Sequence, residues 1–536
     1  MSHNDPLDSR LGSASDELRS QLSSAGVPDF TPRPRVAAPV AFIVALLFVG
    51  GAFAVSQLRP DTSQVGFVDE TEQVTELPDT NDEPDNDEPD NAEDSTDELT
   101  DPVDPNSART TDSLTIAPAD VTITIGQDAT QPATDRTRPE IGEQRNDPAY
   151  GSIVTRLTTA EGRFDRLDTN KRHLSNADGT LLLTHVDDGT DEYINVLDLD
   201  TLTSTLRLNL TEEDEAAWHP TDPFVIRHLS GRNANFGSLQ LLETNVQTNE
   251  QTVLADLTER VQAIFPTATH MISTHGRASV DGQTWAWIIR DDNETEIGAI
   301  SYDLTTDSII GSLTDIDPSD DDRDFSPAVS ASLANSGPGS WLSTIVSPSG
   351  DYIVIEYEEV AIVHDLNFSD YRAIENTGDT ADVVALANGG EAYVFTNFNS
   401  ASEDSGFITS VDLQTFERTR LVDLFDDANT SVQISGTATN TPGWVVVSTF
   451  DCKSGSPEPW TCNKVIVIEL GGENRVVPLA HTYSCATDSF SIPTASANAD
   501  LSRIYFTSDS GQCDSEAGEV FEIVVPDELG QVLSGS

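Results

Sequence analysis

One pattern recurs seven times in the C-terminal part of this chain: a short polar turn runs directly into an apolar strand. It reads Asn176-Ala-Asp-Gly-Thr-Leu-Leu-Leu, Trp218-His-Pro-Thr-Asp-Pro-Phe-Val-Ile, Ser279-Val-Asp-Gly-Gln-Thr-Trp-Ala-Trp and Ser347-Pro-Ser-Gly-Asp-Tyr-Ile-Val-Ile. It returns as Ala387-Asn-Gly-Gly-Glu-Ala-Tyr-Val-Phe, Asn440-Thr-Pro-Gly-Trp-Val-Val-Val and Ala497-Asn-Ala-Asp-Leu-Ser-Arg-Ile-Tyr-Phe. After each copy comes a second apolar strand that ends in a polar turn: 193–199, 238–244, 297–304, 360–366, 407–413, 465–470 and 519–525. A third strand follows most copies, most clearly at 204–208, 252–255, 420–422 and 475–479. The period is irregular, roughly 40 to 70 residues, because the loops differ in length.

A strand-rich unit of this size cannot bury both of its faces alone, so repeated units must stack. Four-stranded units stacked in a ring form a β-propeller, and seven copies predict seven blades. The turn-and-strand segments Asn176–Leu183, Ser279–Trp287 and Ser347–Ile355 resemble those of TolB-like and WD40-like propellers. The likeness spans about residues 150–526, and it implies the fold but no activity, because such propellers serve as scaffolds, enzymes and adaptors. The second and sixth copies lack Asp-Gly, and no Trp-Asp signature is present. The α/β domain that precedes the propeller in TolB has no counterpart here, so TolB's own role does not transfer. The last unit is one strand short after Val525. Ser152-Ile-Val-Thr-Arg-Leu is expected to supply its outer strand, with Gly530-Gln-Val-Leu as the rival.

Upstream the texture differs. Val36–Leu58 is an uncharged run lying between Arg35 and Arg59. About 20 helical residues cross a hydrocarbon core, so this run predicts one transmembrane helix. Arg10, Arg19, Arg33 and Arg35 precede it and an acidic segment follows, which places 1–35 in the cytoplasm and the remainder outside. A signal-peptidase site at Ala52-Phe53-Ala54 is the alternative. Ser13 and Asp16 open a short helical pattern in the tail, and Gly26 closes it. Residues 59–148 are rich in Asp, Glu, Pro and Thr, with Asn81-Asp-Glu-Pro-Asp repeated at Asn86. Such a segment buries too little apolar surface to offset its ordering entropy, so it is expected to be a disordered stalk. The expected domains are therefore a tail at 1–35, a membrane helix at 36–58, a linker at 59–148 and a propeller at 149–536.

The 536 residues hold 28 Lys and Arg against 92 Asp and Glu, a formal net charge of −64. Nucleic-acid binding is excluded as a class, because phosphate contacts need clustered basic side chains. Extreme acidity with scarce lysine resembles the composition of proteins from salty habitats. The four cysteines are Cys452, Cys462, Cys485 and Cys513. Outside the membrane an even count suggests disulfides. Three pairings are open; proximity favours Cys452–Cys462 and Cys485–Cys513. No C-x2-C spacing points to zinc.

In a four-stranded blade, the loop between the second and third strands shares one end of the sheet with the connection to the next blade. In this chain those loops are long and acidic. Asp187 and Asp188 stand in one, Asp291 and Asp292 in another, and these four are the expected binding-face residues. Asp320, Asp321, Asp322 and Asp324, between two blades, are weak candidates for a cation site, because loop carboxylates suit Ca²⁺. No cofactor is otherwise indicated. His270 and His275 lack the spacing of any zinc motif. No Gly-x-Ser-x-Gly elbow, P-loop or dinucleotide fingerprint occurs, so no catalytic residue is assigned. The expected function is a membrane-anchored extracytoplasmic binding module, with an envelope protein or glycan as partner. The alternatives are a propeller lyase or hydrolase acting in the central channel, and a transmembrane sensor.

Overall fold

A computed structural model describes residues 137–533, apart from short segments at 160–163, 168–172, 212–213, 231–238, 274–277, 315–342, 358, 376, 379, 398–404, 425–429, 451–459, 487–490, 512–517, 527–529 and 531–532. The chain divides into two units, 1–96 and 97–536, and every described residue belongs to the second. The predicted tail, the membrane segment 36–58 and most of the stalk lie outside the described residues. Among the described residues no helix is long and apolar enough to cross a membrane.

Seven antiparallel sheets make up the unit, six of four strands and one of five. It is a seven-bladed β-propeller. Blades one to six run in chain order, starting at Phe164–Arg166, Ala217–Trp218, Ala268–Ile272, Ser343–Val346, Ala381–Ala385 and Ser431–Ser435. Blade seven is assembled from both ends of the described chain. Ala495–Ala497, Arg503–Ser508 and Glu519–Val524 come from the C-terminal part, while Ile153–Arg156 and Gln144–Asn146 come from the N-terminal part. Ile153–Arg156 pairs with Glu519–Val524, with Ile153 opposite Val524 and Arg156 opposite Phe521. The expected donor thus closes the ring, and Gln144–Asn146 adds a fifth strand outside it. The rival donor goes elsewhere: Leu533 is buried, and its carbonyl accepts the Trp444 indole N–H of blade six at 2.8 Å.

Burial explains why the middle strands read as unbroken apolar runs. A blade is covered on both faces by its neighbours, so the usual alternation of apolar and polar residues is lost. All seven residues of Trp444–Phe450 are buried, and Val465, Ile466, Val467 and Ile468 expose nothing. The outer strand of blade two faces water, with only Ala255 buried in Glu250–Asp256, whereas that of blade six, Val476–His481, is buried throughout. The first repeated turn is held by its leading side chain. Asn176 Oδ1 accepts the N–H groups of Thr180 and Leu181 at 2.8 and 2.9 Å. Ser279 Oγ does the same for Gln283 and Thr284.

The departures from Asp-Gly have local substitutes. In the second copy the His219 Nδ1 accepts the N–H groups of Thr221 and Asp222. In the seventh, Leu501 takes the left-handed backbone (φ 57°) that Gly350 takes in the fourth (φ 82°). A second regular device closes the third-to-fourth-strand turns. Asp198 and Asp412 each accept the N–H of a threonine three residues on at 2.7 Å, and Asn245 accepts that of Thr248 at 3.0 Å. This Asx turn is the mechanism behind the polar turns that end the second repeated strand.

Candidate binding face

The antiparallel order puts each loop between second and third strands at the same end as the connection leading to the next blade. Asp187, Asp188, Asp291 and Asp292 therefore fall on one face, in blades one and three. In blade one, Asp187 Oδ1 accepts the Gly189 N–H at 2.8 Å, and Asp188 Oδ1 accepts those of Thr190 and Asp191 at 3.0 and 2.8 Å. Gly189 has φ 78° and open space around the position of a Cβ, so its left-handed backbone is what the turn requires. These two carboxylates thus shape their own loop. Asp191 and Glu192 project further. Asp191 pairs with Arg207 at 2.9 Å, and the Arg207 guanidinium lies 3.7 Å over the Tyr193 ring.

Blade three repeats the arrangement. Asp291 Oδ1 accepts the N–H groups of Asn293 and Thr295, and the Thr295 N–H above all holds its carboxyl below the ordinary range. The Asn293 amide donates to Asp292 at 3.1 Å. Glu294 carries a left-handed backbone (φ 61°) and stands 3.2 Å from His270 Nε2 and 3.7 Å from Arg290. His270 also contacts Thr269 Oγ1 through Nδ1 at 3.0 Å, and Arg290 pairs with Glu296 at 3.0 Å. His270 is therefore set in a hydrogen-bonded and ion-paired cluster; His275 lies outside the described residues.

Two groups went unread in the sequence. His185, buried in blade one, accepts the Arg166 Nε–H at Nδ1 (2.9 Å), and its Nε2 lies 2.8 Å from Glu192 Oε1. The signal was the opposition of Arg166 to His185 across a strand pair, which depends on register. Glu215, two residues before the innermost strand of blade two, is buried with φ 44° and accepts the Trp287 indole N–H at 3.0 Å. It ties the connection after blade one to blade three, where Trp287 stacks on Trp285. No sequence motif announces such a contact.

Asp320, Asp321, Asp322 and Asp324 lie outside the described residues, as do Cys452 and Cys513. Among the described residues no group of three or more His, Cys, Asp or Glu side chains is placed to hold a metal ion. Neither Cys462 nor Cys485 is a free thiol.

No protein-family model and no curated protein matches the chain. Solved structures do resemble it. An oligogalacturonate lyase from Vibrio parahaemolyticus matches with TM-score 0.47 and 14% identity over 72% of this chain and 97% of that one. The β-propeller domain of the Trilobed protease from Pyrococcus furiosus, described as having an open velcro topology, matches at TM-score 0.39 and 10% identity, over 68% and 94%. TolB from Acinetobacter baumannii matches at TM-score 0.27 and 14% identity, over 60% and 65%. At these identities and TM-scores the likeness adds nothing to the seven-bladed propeller that the seven sheets themselves display.

Proposed function

We propose that this chain is a membrane-anchored, extracytoplasmic binding module whose loop face, centred on blades one and three, takes a basic protein or polar glycan of the cell envelope. The observation that carries the reading is the way charge is distributed. Several arginines are turned inward: Arg156 and Arg503 pair with the buried carboxylates of Glu519 and Glu522, and Arg227 binds Glu243 and the Gly282 carbonyl. The loop carboxylates stand outward: the side chains of Asp191, Glu192 and Glu294 are 61%, 41% and 48% exposed. A face of this kind attracts cations and basic or polar groups and repels acidic polymers. The anchor rests on the Val36–Leu58 run and the arginines before it.

The test compares the full chain with a variant in which Asp187, Asp188, Asp291 and Asp292 are changed to Asn. Four charges are a small part of a net −64. A general electrostatic attraction would therefore barely weaken, whereas a local site loses its ligand. The expected result is selective loss of particular partners from an envelope extract, with an unchanged circular dichroism spectrum. An unchanged capture profile sinks the reading. Turnover of a polysaccharide library by the purified chain would replace it with the lyase or hydrolase alternative. Protease added to intact cells tests the anchor: it should remove the propeller and spare residues 1–35.

A further inference from the structure

The propeller is closed by a segment that belongs to it only at a distance. Residues 137–156 reach Glu519 from 381 positions away in the chain. Both Arg138 and Arg156 donate to the Glu519 carboxylate, the latter at 2.7 Å, and Arg156 also binds the carbonyls of Pro139 and Thr158. A second tie joins the segment to blade six. Asp147 Oδ2 accepts the backbone N–H of His481 at 2.9 Å and meets the ring Nδ1 at 3.0 Å, while Oδ1 accepts the N–H groups of Ala149 and Tyr150. The Tyr150 ring stacks on the His481 ring, with centroids 5.1 Å apart.

Apolar burial in this segment is thin. Tyr150 and Ile153 are its buried apolar side chains, and Val154 is partly buried. Buried ion pairs add little net stability over their desolvation cost, although breaking one is expensive. A segment with few apolar contacts and a handful of polar ties forms its own opening unit. What it covers has packing of its own. Glu519–Val524, Arg503–Ser508 and Ala495–Ala497 form a sheet packed on blade six through Phe506, Phe521 and Ile523.

We infer that residues 137–156 form a releasable strap, tied through the carboxylates of Glu519 and Asp147, whose release opens blade seven while the other blades stay closed. The strap is also the stretch through which the first 136 residues join the propeller, so tension or binding upstream acts on it first. Release bares the edge N–H and C=O groups of Glu519–Val524, a template for an added strand. The inference does not depend on what the loop face binds.

Hydrogen exchange read by mass spectrometry on the full chain tests it. In Glu519→Gln, peptides covering 144–156 and 519–524 should exchange faster together, on the order of 10²-fold. The inner strands of blades three to five should keep their rates. Arg138 is 30% exposed on its side chain, so Arg138→Gln is the milder variant, with a few-fold acceleration of the same peptides alone. Acceleration spread evenly over all seven blades, or unchanged strap rates in both variants, would overturn the inference.

Discussion

Blades four and seven share one architecture, but blade seven adds buried ion pairs to the apolar packing that both have. Blade four is one uninterrupted excursion of the chain from Ser343 to Glu375, each strand paired with the next. Ile345, Val354, Ile355 and Ile362 expose nothing, and all four contribute to clusters shared with neighbouring sheets. Blade seven joins strands 363 residues apart in sequence, as the Arg156–Glu519 pair shows. It places the pairs Arg156–Glu519 and Arg503–Glu522 inside, all four side chains at most 7% exposed. Where chain continuity sets the neighbour, apolar packing suffices. Where it does not, closure entropy must be offset and the register specified. A one-residue slip of Ile153–Arg156 would turn Arg156 away from Glu519, so the charges act as a register key.

The contrast predicts how each blade fails. Glu522→Ala should be the most damaging change, because it removes a buried carboxylate that Arg503 meets at 2.7 Å. A loss of about 3–5 kcal/mol is expected, seen as a lower urea midpoint. Ile362→Ala in blade four should cost about 2–4 kcal/mol through the cavity it leaves. The two should differ in response to salt. Added salt screens the Arg503 charge only where water reaches it, while the Ile362 cavity carries no charge. If both variants fall by the same amount at every salt concentration, the distinction between the blades is lost.

The acid limb sharpens the comparison. Burial pushes the Asp147 carboxyl up, but His481 and the surrounding N–H groups outweigh it and hold it below the ordinary value. A group depressed on folding contributes stability above its unfolded pKa, about 3.9, and that stability is lost as pH falls through the folded value. The wild-type chain should therefore lose stability below about pH 4, and Asp147→Asn should flatten that limb. Asp365 in blade four is also depressed: burial raises it, and the Ser369 hydroxyl, the N–H groups of Ser369 and Asp370 and the neighbouring His364 together outweigh this. It sits in a turn open to water, so Asp365→Asn should flatten the limb less. Equal effects would mean that the strap contact is no more protected than a surface turn.

Much of this fold was legible because it is written locally and repeatedly. Turn residues followed by Tyr352–Glu356 or Trp444–Phe450 identify a strand without knowledge of its partner, and seven repetitions identify the ring. The closing strand could be named because Ile153–Arg156 is strand-like and the last unit was incomplete. Gln144–Asn146 could not: three polar residues inside an acidic stretch form a strand only because Ile153–Arg156 offers an edge. That the Asp187 and Asp291 loops share one end of their sheets was legible, because it follows from strand order. Arg166–His185–Glu192 and Glu215–Trp287 were not, because each contact depends on register or on a connection crossing between blades. Sequence spacing carries neither quantity.

The smallest expected effect concerns the turns. Gly350 in blade four and Leu501 in blade seven occupy the same left-handed position of the same repeated turn. Leu501 bears the steric cost of that backbone, about 1–2 kcal/mol, yet it is buried in the cluster with Phe506 and Ile523. Burial of a leucine stabilises by about 1.5–3 kcal/mol, so the two terms nearly cancel. Leu501→Gly should therefore shift stability by no more than about 1 kcal/mol, in the destabilising direction. Gly350→Ala has no such compensation. Its Cβ would meet Thr284 Oγ1 at 2.9 Å in a backbone of φ 82°. It should cost about 1–2 kcal/mol, read from urea midpoints measured side by side. If Leu501→Gly proves the costlier change, the leucine is not a tolerated departure from the repeat. It would then be an apolar anchor of the last blade, and closure would rest less on charge than the contrast between the two blades implies.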